Sequence, residues 1–440
     1  MGIKTAKFGG SSVADGIQLM KIKKIIEDDP DRRYIVVSAP GKRFDGDNKI
    51  TDLLMMCKAQ ADHNIPYDQL LQVVTDRYQS IRLGLDVDVD LTPHFEDIRQ
   101  ALSKGCTKDY IASRGEYLSA ILIAAFLGYD FVDTQELILF DKRGRLLPEE
   151  TNEALSKELS KHERAVLPGF YGGYQDSGEI CTFSRGGSDV TGSLVARATG
   201  ADIYENWTDV SGFLMADPRI VDHPRPIEYI SYMELRELSY MGAGVLHEDA
   251  VFPVRMANIP INIRNTNRPQ DPGTIITTER TYDNPKTLSG IAGKTPFTVI
   301  NIYKSMLNNE IGFVRRALGV LEDLRIPFDH LPTGIDSFSI VIETKELEHH
   351  LEDVLQELDQ RLHPDDITVT EDIALIAIVG MGLYRTVGVI SQLTTALSDA
   401  GINIRMLNQG ASDINVIVGV AAPDFEPAIR AIYRAFVEGE

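Results

Sequence analysis

Two glycine-rich segments of the chain contain the residue types that hold phosphate and carboxylate groups. The first, Lys7–Ser12, reads KFGGSS, and the second, Ser184–Thr191, reads SRGGSDVT. Paired glycines allow the backbone to approach a phosphate closely, and the N-terminus of a following helix offers unpaired N–H donors. One such turn also occurs for purely structural reasons, and the spacing is not that of a P-loop. Two of them in one chain, each beside a cation, favour anion binding.

The charged side chains near these glycines suit different partners. Lys7 adds a mobile point charge, whereas Arg185 can hold a carboxylate through two parallel hydrogen bonds. Asp189 and Glu116 each fall where a helix is predicted to begin, so the helix dipole alone also explains either carboxylate. The residues therefore predict an anion site and leave its reaction open.

The whole chain has the composition of an ordinary globular protein with a strong negative charge. It has 440 residues, of which 43% are hydrophobic and 25% charged, and its formal net charge is −21. By length, about three domains are expected. An acidic protein repels nucleic acid, so no such partner is expected. With no apolar run of about 18 residues and no N-terminal signal region, a cytoplasmic location without membrane contact is predicted.

The three cysteines give no sign of a metal centre or a disulfide framework. Cys57, Cys106 and Cys181 are far apart and lack the spacings that a zinc site requires. They are predicted to be reduced and structural, and no metal ligand is assigned.

An α/β domain is predicted to position the two glycine-rich segments. From Lys4 to about Gly290, short apolar runs alternate with longer helical patterns, which is typical of a largely parallel sheet. The predicted strands are Tyr34–Ser38, Asp130–Asp133, Glu136–Phe140, Ala165–Pro168, Ile203–Glu205 and Ile261–Ile263. Helices are predicted to follow Ser12, Thr51, Gly115 and Ser188. The charged loop Gly41–Lys49 has no predicted role.

The remainder of the chain contains an internal repeat. The polar segment Thr278–Pro296 is rich in Thr, Asn, Pro and Gly and is predicted to be a linker. Beyond it, apolar residues and glycines recur with a spacing of 76 residues. The matching pairs are Gly312 and Gly388, Leu321 and Leu397, Ile326 and Ile402, and Leu331 and Leu407. Two related small βα modules are therefore predicted.

Four ordered motifs and the repeated tail resemble the aspartate kinases, a branch of the amino-acid kinase family. The motifs are KFGGSSVA at 7–14, RGEYLSA at 114–120, SRGGSDVTG at 184–192 and TDVSGFLMADPR at 208–219. The resemblance covers nearly the whole chain, and the tail is similar to paired ACT domains. It implies an α/β architecture with a three-layer αβα kinase domain at 1–290, made of an aspartate-binding N-lobe and an ATP-binding C-lobe. Ferredoxin-like ACT regulatory modules are implied at 297–370 and 371–440.

This resemblance implies ATP-dependent phosphorylation of the side-chain carboxylate of L-aspartate, the first step towards lysine, threonine and methionine. A β-carboxylate is already ionised at pH 7, so the reaction needs no general base. Mg²⁺ bound with ATP, Lys7 and backbone donors would offset the repulsion between the two anions. The expected partners are aspartate, ATP and a lysine or threonine effector. Assembly into a homodimer or higher homo-oligomer through the ACT modules is also implied.

The resemblance also assigns roles to individual positions. The predicted catalytic residues are Lys7 and Asp189. The predicted substrate-binding residues are Ser38, Thr51, Glu116, Arg185, Gly186 and Ser188. The predicted ATP-binding residues are Lys7, Gly9, Gly10, Ser11, Thr208, Asp209, Leu214 and Arg219. The predicted allosteric residues are Met306, Ile311, Gly312, Asp329, Thr333 and Ser337.

Two positions depart from the family pattern, and both concern the nucleotide side of the site. Gly244 stands where many relatives carry a lysine, and Leu214 stands where an aromatic residue is frequent. Two alternatives stay open, a kinase of glutamate-like acids and a catalytically inactive amino-acid sensor. Glu116 with Arg185 argues against the former, and the presence of Lys7, Arg185 and Asp189 together argues against the latter. A fused homoserine dehydrogenase is not expected, because the chain ends just after the second module.

Overall fold

The protein is described here by a computed structural model of residues 2–184, 186–243, 246, 248–278, 288–383, 386–409 and 414–439, with only the backbone of 248–250. Arg185 and Gly244, which the sequence singled out, lie outside the described residues. The chain divides into two compact units. The first comprises Met1–Phe213, Pro226–Tyr232 and Val245–Thr281, and the second comprises Leu214–Arg225, Met233–Gly244 and Tyr282–Glu440.

Both strands and helices occur between Lys4 and Thr277, with four consecutive helices after β2. The strands are β1 (Lys4–Phe8), β2 (Arg32–Val37), β3 (Asp130–Phe131), β4 (Leu139–Phe140), β5 (Ala165–Pro168), β6 (Tyr171–Tyr174), β7 (Ile180–Thr182), β8 (Ile203–Thr208), β9 (Tyr229–Ser231), β10 (Ile261–Asn265) and β11 (Thr274–Thr277). The helices are α1 (Gly16–Glu27), α2 (Ile50–Asp62), α3 (Asp68–Gly84), α4 (Thr92–Ser103), α5 (Lys108–Leu127), α6 (Pro148–Leu159), α7 (Gly187–Thr199), α8 (Tyr232–Tyr240) and α9 (Glu248–Met256).

An eight-stranded sheet forms the centre of the first unit. Its order is β3-β5-β2-β1-β8-β10-β11-β9, and every pair is parallel except β10 with β11. A smaller sheet has the order β4-β6-β7. In this order β2 lies on one side of β1, and β8, which comes later in the chain, lies on its other side. Ligands of open α/β sheets bind at the carboxyl ends of strands where the order reverses in this way. The predicted α/β fold with a mainly parallel sheet is confirmed.

The core of the first unit lies between this sheet and the helices α1 to α5. Phe8 from β1, Leu54 from α2 and Leu118 from α5 are among its buried residues. By length and composition α5 is apolar enough to cross a membrane, with a mean hydropathy of 1.2 over its most apolar stretch. However, 67% of that stretch is buried inside the fold, as in a core helix of a globular protein.

The helix start predicted at Gly115 is wrong, and the helix predicted to follow Ser12 begins after a short 3₁₀ turn. The helix expected after Gly115 begins at Lys108, because Thr107 caps it by accepting a hydrogen bond from the Tyr110 N–H. Gly10–Val13 forms a short 3₁₀ helix, and α1 begins only at Gly16. The dipole of an α-helix N-terminus therefore does not explain why a carboxylate stands at Glu116. The first glycine pair likewise does not lie at the start of an α-helix. The helix predicted to follow Ser188 is confirmed as α7, which begins at Gly187, whereas β7, just before this glycine pair, was not predicted.

The second unit contains one antiparallel sheet with the order β13-β12-β14-β16-β15. Its strands are β12 (Gly290–Tyr303), β13 (Ser337–Glu343), β14 (Asp366–Val379), β15 (Met406–Asn408) and β16 (Asn415–Ala421). Its helices are α10 (Phe313–Leu324), α11 (Thr344–Leu347), α12 (Leu351–Leu362), α13 (Val389–Asp399) and α14 (Phe425–Tyr433).

The 76-residue repeat corresponds to a structural repeat in this unit. Gly312 and Gly388 have φ angles of 79° and 93° and directly precede α10 and α13. Each helix packs into its own hydrophobic core. A left-handed φ favours glycine, which explains why the two positions match.

The linker predicted over Thr278–Pro296 is wrong in its second half. Residues 279–287 lie outside the described residues, but Gly290–Pro296 forms the first half of β12 and pairs with β14. Ile291 also packs into the core around α13, together with Ala216 and Val221. A strand partner distant in sequence thus orders a segment whose Thr, Asn and Pro content alone indicates a loop.

Candidate active site

Lys7 and Asp189 form an ion pair at the carboxyl end of β1. The Lys7 Nζ lies 2.5 Å from Asp189 Oδ1, and the Lys7 side chain is only 9% exposed. Asp189 is the third residue of α7, so its carboxylate reaches the sheet from the first turn of that helix. The two predicted catalytic residues are therefore in direct contact.

Asn206 joins this ion pair, which sequence reasoning missed. Its Nδ2 donates to Asp189 Oδ1 at 2.8 Å, and its Oδ1 accepts from Lys7 Nζ at 3.4 Å. A single asparagine inside a strand belongs to no motif. Only the pairing of β1 with β8 could have indicated Asn206, because Lys7 on β1 lies directly opposite Asn206 on β8.

The first glycine-rich turn lies immediately beside Lys7. A Cβ atom at Gly9 would lie 3.5 Å from Lys7 Nζ, and the Gly9 N–H donates to the Trp207 carbonyl at 3.0 Å. The turn also packs tightly against the loop after β2. The Gly41 N–H donates to the Gly10 carbonyl at 2.9 Å, and a Cβ at Gly41 would be 2.8 Å from the Gly10 carbonyl carbon. Of the predicted phosphate-binding residues, Gly9 thus lies next to the Lys7 amine, and Gly10 and Ser11 lie against Gly41.

The second glycine-rich turn fits closely around the start of α7. Gly186 has a φ of 58°, and a Cβ at Gly187 would lie 2.7 Å from the ring of Phe170. Ser188 packs against Gly169, where a Cβ would lie 2.7 Å from the serine side chain. Because Arg185 lies outside the described residues, its guanidinium is not placed. The other predicted residues of this turn lie at the start of α7 beside Asp189.

Glu116 is a buried carboxyl in the interior of α5 and not, as expected, in its first turn. It is 5% exposed, and its Oε2 has no hydrogen-bond partner within the described part of the chain. Burial raises the pKa of Glu116 to about 8, partly offset by the backbone N–H of Ala39. A buried carboxyl oxygen without a partner is costly, so the position suits a cationic ligand group.

Ser38 and Thr51 lie near Glu116 through the packing of α5 on the loop after β2. A Cβ at Gly115 would lie 2.7 Å from Ala39 Cβ and 3.7 Å from Thr51 Cγ2. The Ser38 N–H donates to the Phe8 carbonyl at 3.1 Å, next to Lys7. The structure therefore brings Ser38, Thr51 and Glu116 to the same edge of the sheet as the Lys7 cluster.

The predicted nucleotide residues fall into two groups. Thr208 ends β8, and its hydroxyl donates to Asp209 Oδ1 at 3.2 Å, while the Asn265 side chain donates to the Asp209 carbonyl. Leu214 and Arg219 belong to the second compact unit. There Arg219 is exposed and pairs with Asp217 at 2.6 Å.

A charged and aromatic cluster supports β8 beneath the site. Arg32 forms two hydrogen bonds with Glu205, at 2.6 and 3.1 Å, and the Trp207 indole N–H donates to Glu205 at 2.8 Å. The guanidinium carbons of Arg32 and Arg264 lie 5.3 and 4.7 Å from the Trp207 ring centroid. These contacts hold β8 in place. This strand carries Asn206, and its Trp207 carbonyl accepts the hydrogen bond from the Gly9 N–H.

The charged loop Gly41–Lys49 is held by one carboxylate. Asp47 accepts hydrogen bonds from Arg43, and Arg77 of α3 pairs with it at 2.8 Å. The hydrogen bonds from Arg43 hold the pKa of Asp47 well below its usual range. Arg77 also donates to the Gly41 carbonyl at 3.3 Å. The loop that had no predicted role is therefore an anchor between the glycine turn and α3.

The predicted allosteric residues lie in two neighbouring loops of the second unit. The Lys304 N–H donates to the Asp336 carbonyl and the Asn308 N–H to the Ile335 carbonyl, which joins the loop before α10 to that before β13. In the first loop, Met306 has a φ of 61° and Ile311 is 97% exposed, next to Gly312. In the second, Thr333 bridges to Phe338 and the Ser337 carbonyl accepts the Gly334 N–H. Asp329 accepts from Tyr240 Oη at 2.5 Å.

Comparison with known proteins identifies the family. A model of the amino acid kinase family matches residues 4–265, and an ACT domain model matches residues 376–436. Aspartokinase 3 of Bacillus subtilis is 36% identical over 453 residues, with 99% of each chain covered. The crystal structure of Clostridium acetobutylicum aspartate kinase, described as an allosteric enzyme, has 48% identity and a TM-score of 0.91, covering 99% of this chain and 100% of that one.

Two crystal structures of E. coli aspartokinase III are also similar, each at 25% identity. The complex with aspartate and ADP, called the R-state, has a TM-score of 0.72 and covers 98% of this chain and 99% of that one. The complex with lysine and aspartate, called the T-state, has a TM-score of 0.74 and covers 99% of each. The ion pair at the end of β1, the glycine turns and these full-length similarities agree with one another, and the chain belongs to the aspartokinases of the amino acid kinase family.

Proposed function

We propose that the chain transfers the γ-phosphoryl group of ATP to the β-carboxylate of L-aspartate, giving 4-phospho-L-aspartate and ADP. The observation that carries the proposal is the ion pair at the carboxyl end of β1 between buried Lys7, beside the first glycine turn, and partly buried Asp189, beside the second. The E. coli relative that binds aspartate and ADP supports the same substrates. A phosphoryl transfer depends mainly on positioning and charge stabilisation, which such a cluster can supply.

Lys7 and the backbone N–H groups of Gly10 and Ser11 would stabilise negative charge on the transferring phosphoryl group. Gly9, whose N–H is bonded to the Trp207 carbonyl, would let the phosphate approach the backbone closely. Asp189 holds the Lys7 amine in place. Because the β-carboxylate is ionised at pH 7, it attacks directly and no proton has to be removed. Thr208 and Asp209 would contribute nucleotide contacts after the end of β8, and Leu214 and Arg219 are the further residues proposed to bind ATP.

Aspartate would be held by a carboxyl, an arginine and small polar groups. Glu116 would accept the α-ammonium group at its unpartnered Oε2, and Arg185 would pair with the α-carboxylate. Ser38, Thr51, Gly186 and Ser188 would line the same site. Glutamate is longer by one methylene, so its γ-carboxylate would be displaced from the position of the aspartate β-carboxylate when its α-groups are held.

Mg²⁺ is the proposed cofactor, bound together with ATP. Among the described residues, no group of three or more His, Cys, Asp or Glu side chains could hold a metal ion. In kinases, Mg²⁺ is often held mainly by phosphate oxygens and water together with one or two carboxylates. The metal would neutralise charge on the phosphates, and no protein ligand is assigned to it.

We also propose the division into a kinase domain at 1–290 and ACT modules at 297–370 and 371–440. The modules would bind lysine or threonine near Met306–Gly312 and Asp329–Ser337 and mediate homo-oligomer formation. The complex of the E. coli relative with lysine and aspartate makes lysine the first candidate effector. The enzyme would then act at the start of lysine, threonine and methionine synthesis, in the cytoplasm.

The test is an acyl-phosphate assay with Mg-ATP and hydroxylamine trapping. Aspartate, glutamate and N-acetylglutamate are compared as acceptors, each with and without lysine or threonine. We expect hydroxamate from aspartate alone, with a lower rate when the effector is present. Product from glutamate but not aspartate would favour the alternative acid kinase, and no turnover with any acceptor would favour an amino-acid sensor.

A further inference from the structure

Asn206 occupies an unusual position for a neutral polar side chain. It is 4% exposed and forms hydrogen bonds with both Lys7 and Asp189. Lys7 and Asn206 are directly opposite each other on parallel strands, so their side chains leave the same face of the sheet. Asp189 approaches that face from α7. The three side chains thus come from three separate elements and meet at one point.

A primary amide can contact both charges because it donates and accepts at the same time. Its Nδ2 donates to the carboxylate oxygen that Lys7 also contacts, and its Oδ1 accepts from the Lys7 ammonium. A lysine ammonium has three N–H donors. With two of them directed at Asp189 and Asn206, the rotation of the ammonium group is determined, and the third N–H has a defined direction.

We propose that Asn206 is a positioning residue for phosphoryl transfer, an inference that rests on the proposed function. It aims the remaining N–H of Lys7 at the transferring phosphoryl group and divides the charge of Asp189 between two donors. Lys7 is then less tightly held by Asp189 and keeps its capacity to stabilise the phosphoryl oxygens. Asn206 touches neither reacting group, so it acts only through Lys7 and Asp189.

Two substitutions separate this role from simple packing. Asn206→Leu has the same branching but removes both hydrogen bonds. Asn206→Asp keeps the size and places a second carboxylate beside Asp189, and two adjacent carboxylates raise the pKa of one of them. When protonated, the new carboxyl can donate to Asp189 as the amide does. The kcat of Asn206→Asp should therefore rise as the pH falls from 8 towards 6, relative to wild type.

The experiment measures kcat and both KM values by hydroxylamine trapping for wild type and the two variants. The matched control is Thr5→Val, on the same face of β1, whose buried hydroxyl has no hydrogen-bond partner among the described residues. We expect Asn206→Leu to lower kcat by about a hundredfold, as for a misplaced catalytic group, with little change in either KM. Thr5→Val should behave like wild type.

Several outcomes would overturn the inference. These are wild-type kcat in Asn206→Leu, an equal loss in Thr5→Val, or a pH profile of Asn206→Asp that parallels wild type. If Asn206→Leu does not fold, the size-matched Asn206→Asp decides the matter through its pH profile. An absence of acyl phosphate from wild type itself would refute the proposed function, and the inference with it, and is therefore distinguishable from the failure of Asn206 alone.

Discussion

Removing the ammonium group of Lys7 deletes the one side-chain cation that contacts Asp189 and Asn206 among the described residues. We expect Lys7→Ala to raise the barrier to phosphoryl transfer by about 2–4 kcal/mol, as for the loss of one preorganised electrostatic donor. The measurement is kcat in the trapping assay. Lys4→Ala, on the same strand but paired with Asp29 at the surface, serves as the control. Near-normal turnover in Lys7→Ala would contradict the role of the amine.

The binding of aspartate is expected to release a proton from the Glu116 carboxyl. Burial raises its pKa to about 8, so the carboxyl is largely protonated at pH 7 in the ligand-free protein. The α-ammonium of aspartate would lower that pKa and drive the proton off. Calorimetric titration at pH 7 in two buffers of different ionisation enthalpy measures the release, which is expected to be up to about one proton. Glu116→Gln should abolish it, and binding heats independent of buffer in wild type would disprove the idea.

The same raised pKa affects stability in a direction that can be checked. Between about pH 4.5 and 8, folded Glu116 holds a proton that the unfolded chain has already released. The free energy of unfolding should therefore fall as the pH rises through this window. Glu116→Gln stays neutral, so it should gain stability over wild type at pH 8 and match it near pH 4.5. Thermal melts that show the same difference at both pH values would rule this out.

At the residue scale, sequence reasoning named Lys7 and Asp189, which the structure brings into contact, and missed Asn206, which contacts both. Lys7 and Asp189 lie beside glycine pairs, and this local pattern is sufficient to mark both as candidates. Asn206 has no such neighbour, and its contacts depend on the pairing of β1 with β8. Glu116 was identified as a residue but with the wrong local explanation, because burial inside α5 depends on packing that no short motif contains.

At the element scale, the loop between β2 and α2 depends on Asp47. Its pairing with Arg77 is almost wholly buried, and removing one partner leaves the other charge uncompensated. We expect Asp47→Asn to destabilise the protein by about 3 kcal/mol at pH 7. The loop carries Gly41 against the glycine turn and leads to Thr51, so the KM for aspartate should rise as well. Chemical denaturation and the trapping assay measure the two effects.

The pH dependence of this anchor follows from the lowered pKa of Asp47. The folded value lies below the ordinary 3.8, so the stabilisation is present above that pH and is lost as the pH falls below it. The difference between wild type and Asp47→Asn should therefore shrink in acid. Asp45→Asn, an exposed neighbour in the same loop, is the control and should change little. An equal loss in both variants would exclude a specific role for Asp47.

Element boundaries show where local sequence was insufficient. The start of α5 depends on the Thr107 cap, which precedes the apolar run that suggested the helix. The beginning of β12 contains Pro296, and its register shifts between Lys294 and Phe297. A proline at an irregularity in the ladder is compatible with a strand, although the composition around it is that of a loop. The strands of the parallel sheet were predicted more accurately than β12. Both faces of a parallel sheet are covered by helices, so its strands appear in the sequence as short continuous apolar runs.

At the scale of the whole molecule, the repeat predicted two modules but not that they share strands. Residues 290–294 of β12 pair with 375–379 of β14, whereas 297–303 pair with β13 and with residues between 366 and 373 of β14. Ile291 belongs to one hydrophobic core, and Ile300 and Ile302 belong to the other. A displacement in one module therefore reaches the other through a continuous backbone. The period relates β12 to β14, since 290–303 and 366–379 are 76 residues apart, but it does not show that these two strands pair with each other.

Such a shared sheet is suited to transmit an effector signal, and the signal should obey thermodynamic reciprocity. If lysine binds the second unit and weakens aspartate binding, aspartate must weaken lysine binding by the same factor, corresponding to about 1–3 kcal/mol. Calorimetry of each ligand with and without saturating amounts of the other gives both factors. Threonine, tested in the same way, serves as the competing effector. The free protein, the two singly bound forms and the doubly bound form make one thermodynamic cycle, so unequal factors would mean that a further bound state takes part. If neither ligand changes the affinity for the other, coupling between the proposed effector loops and the kinase site is disproved.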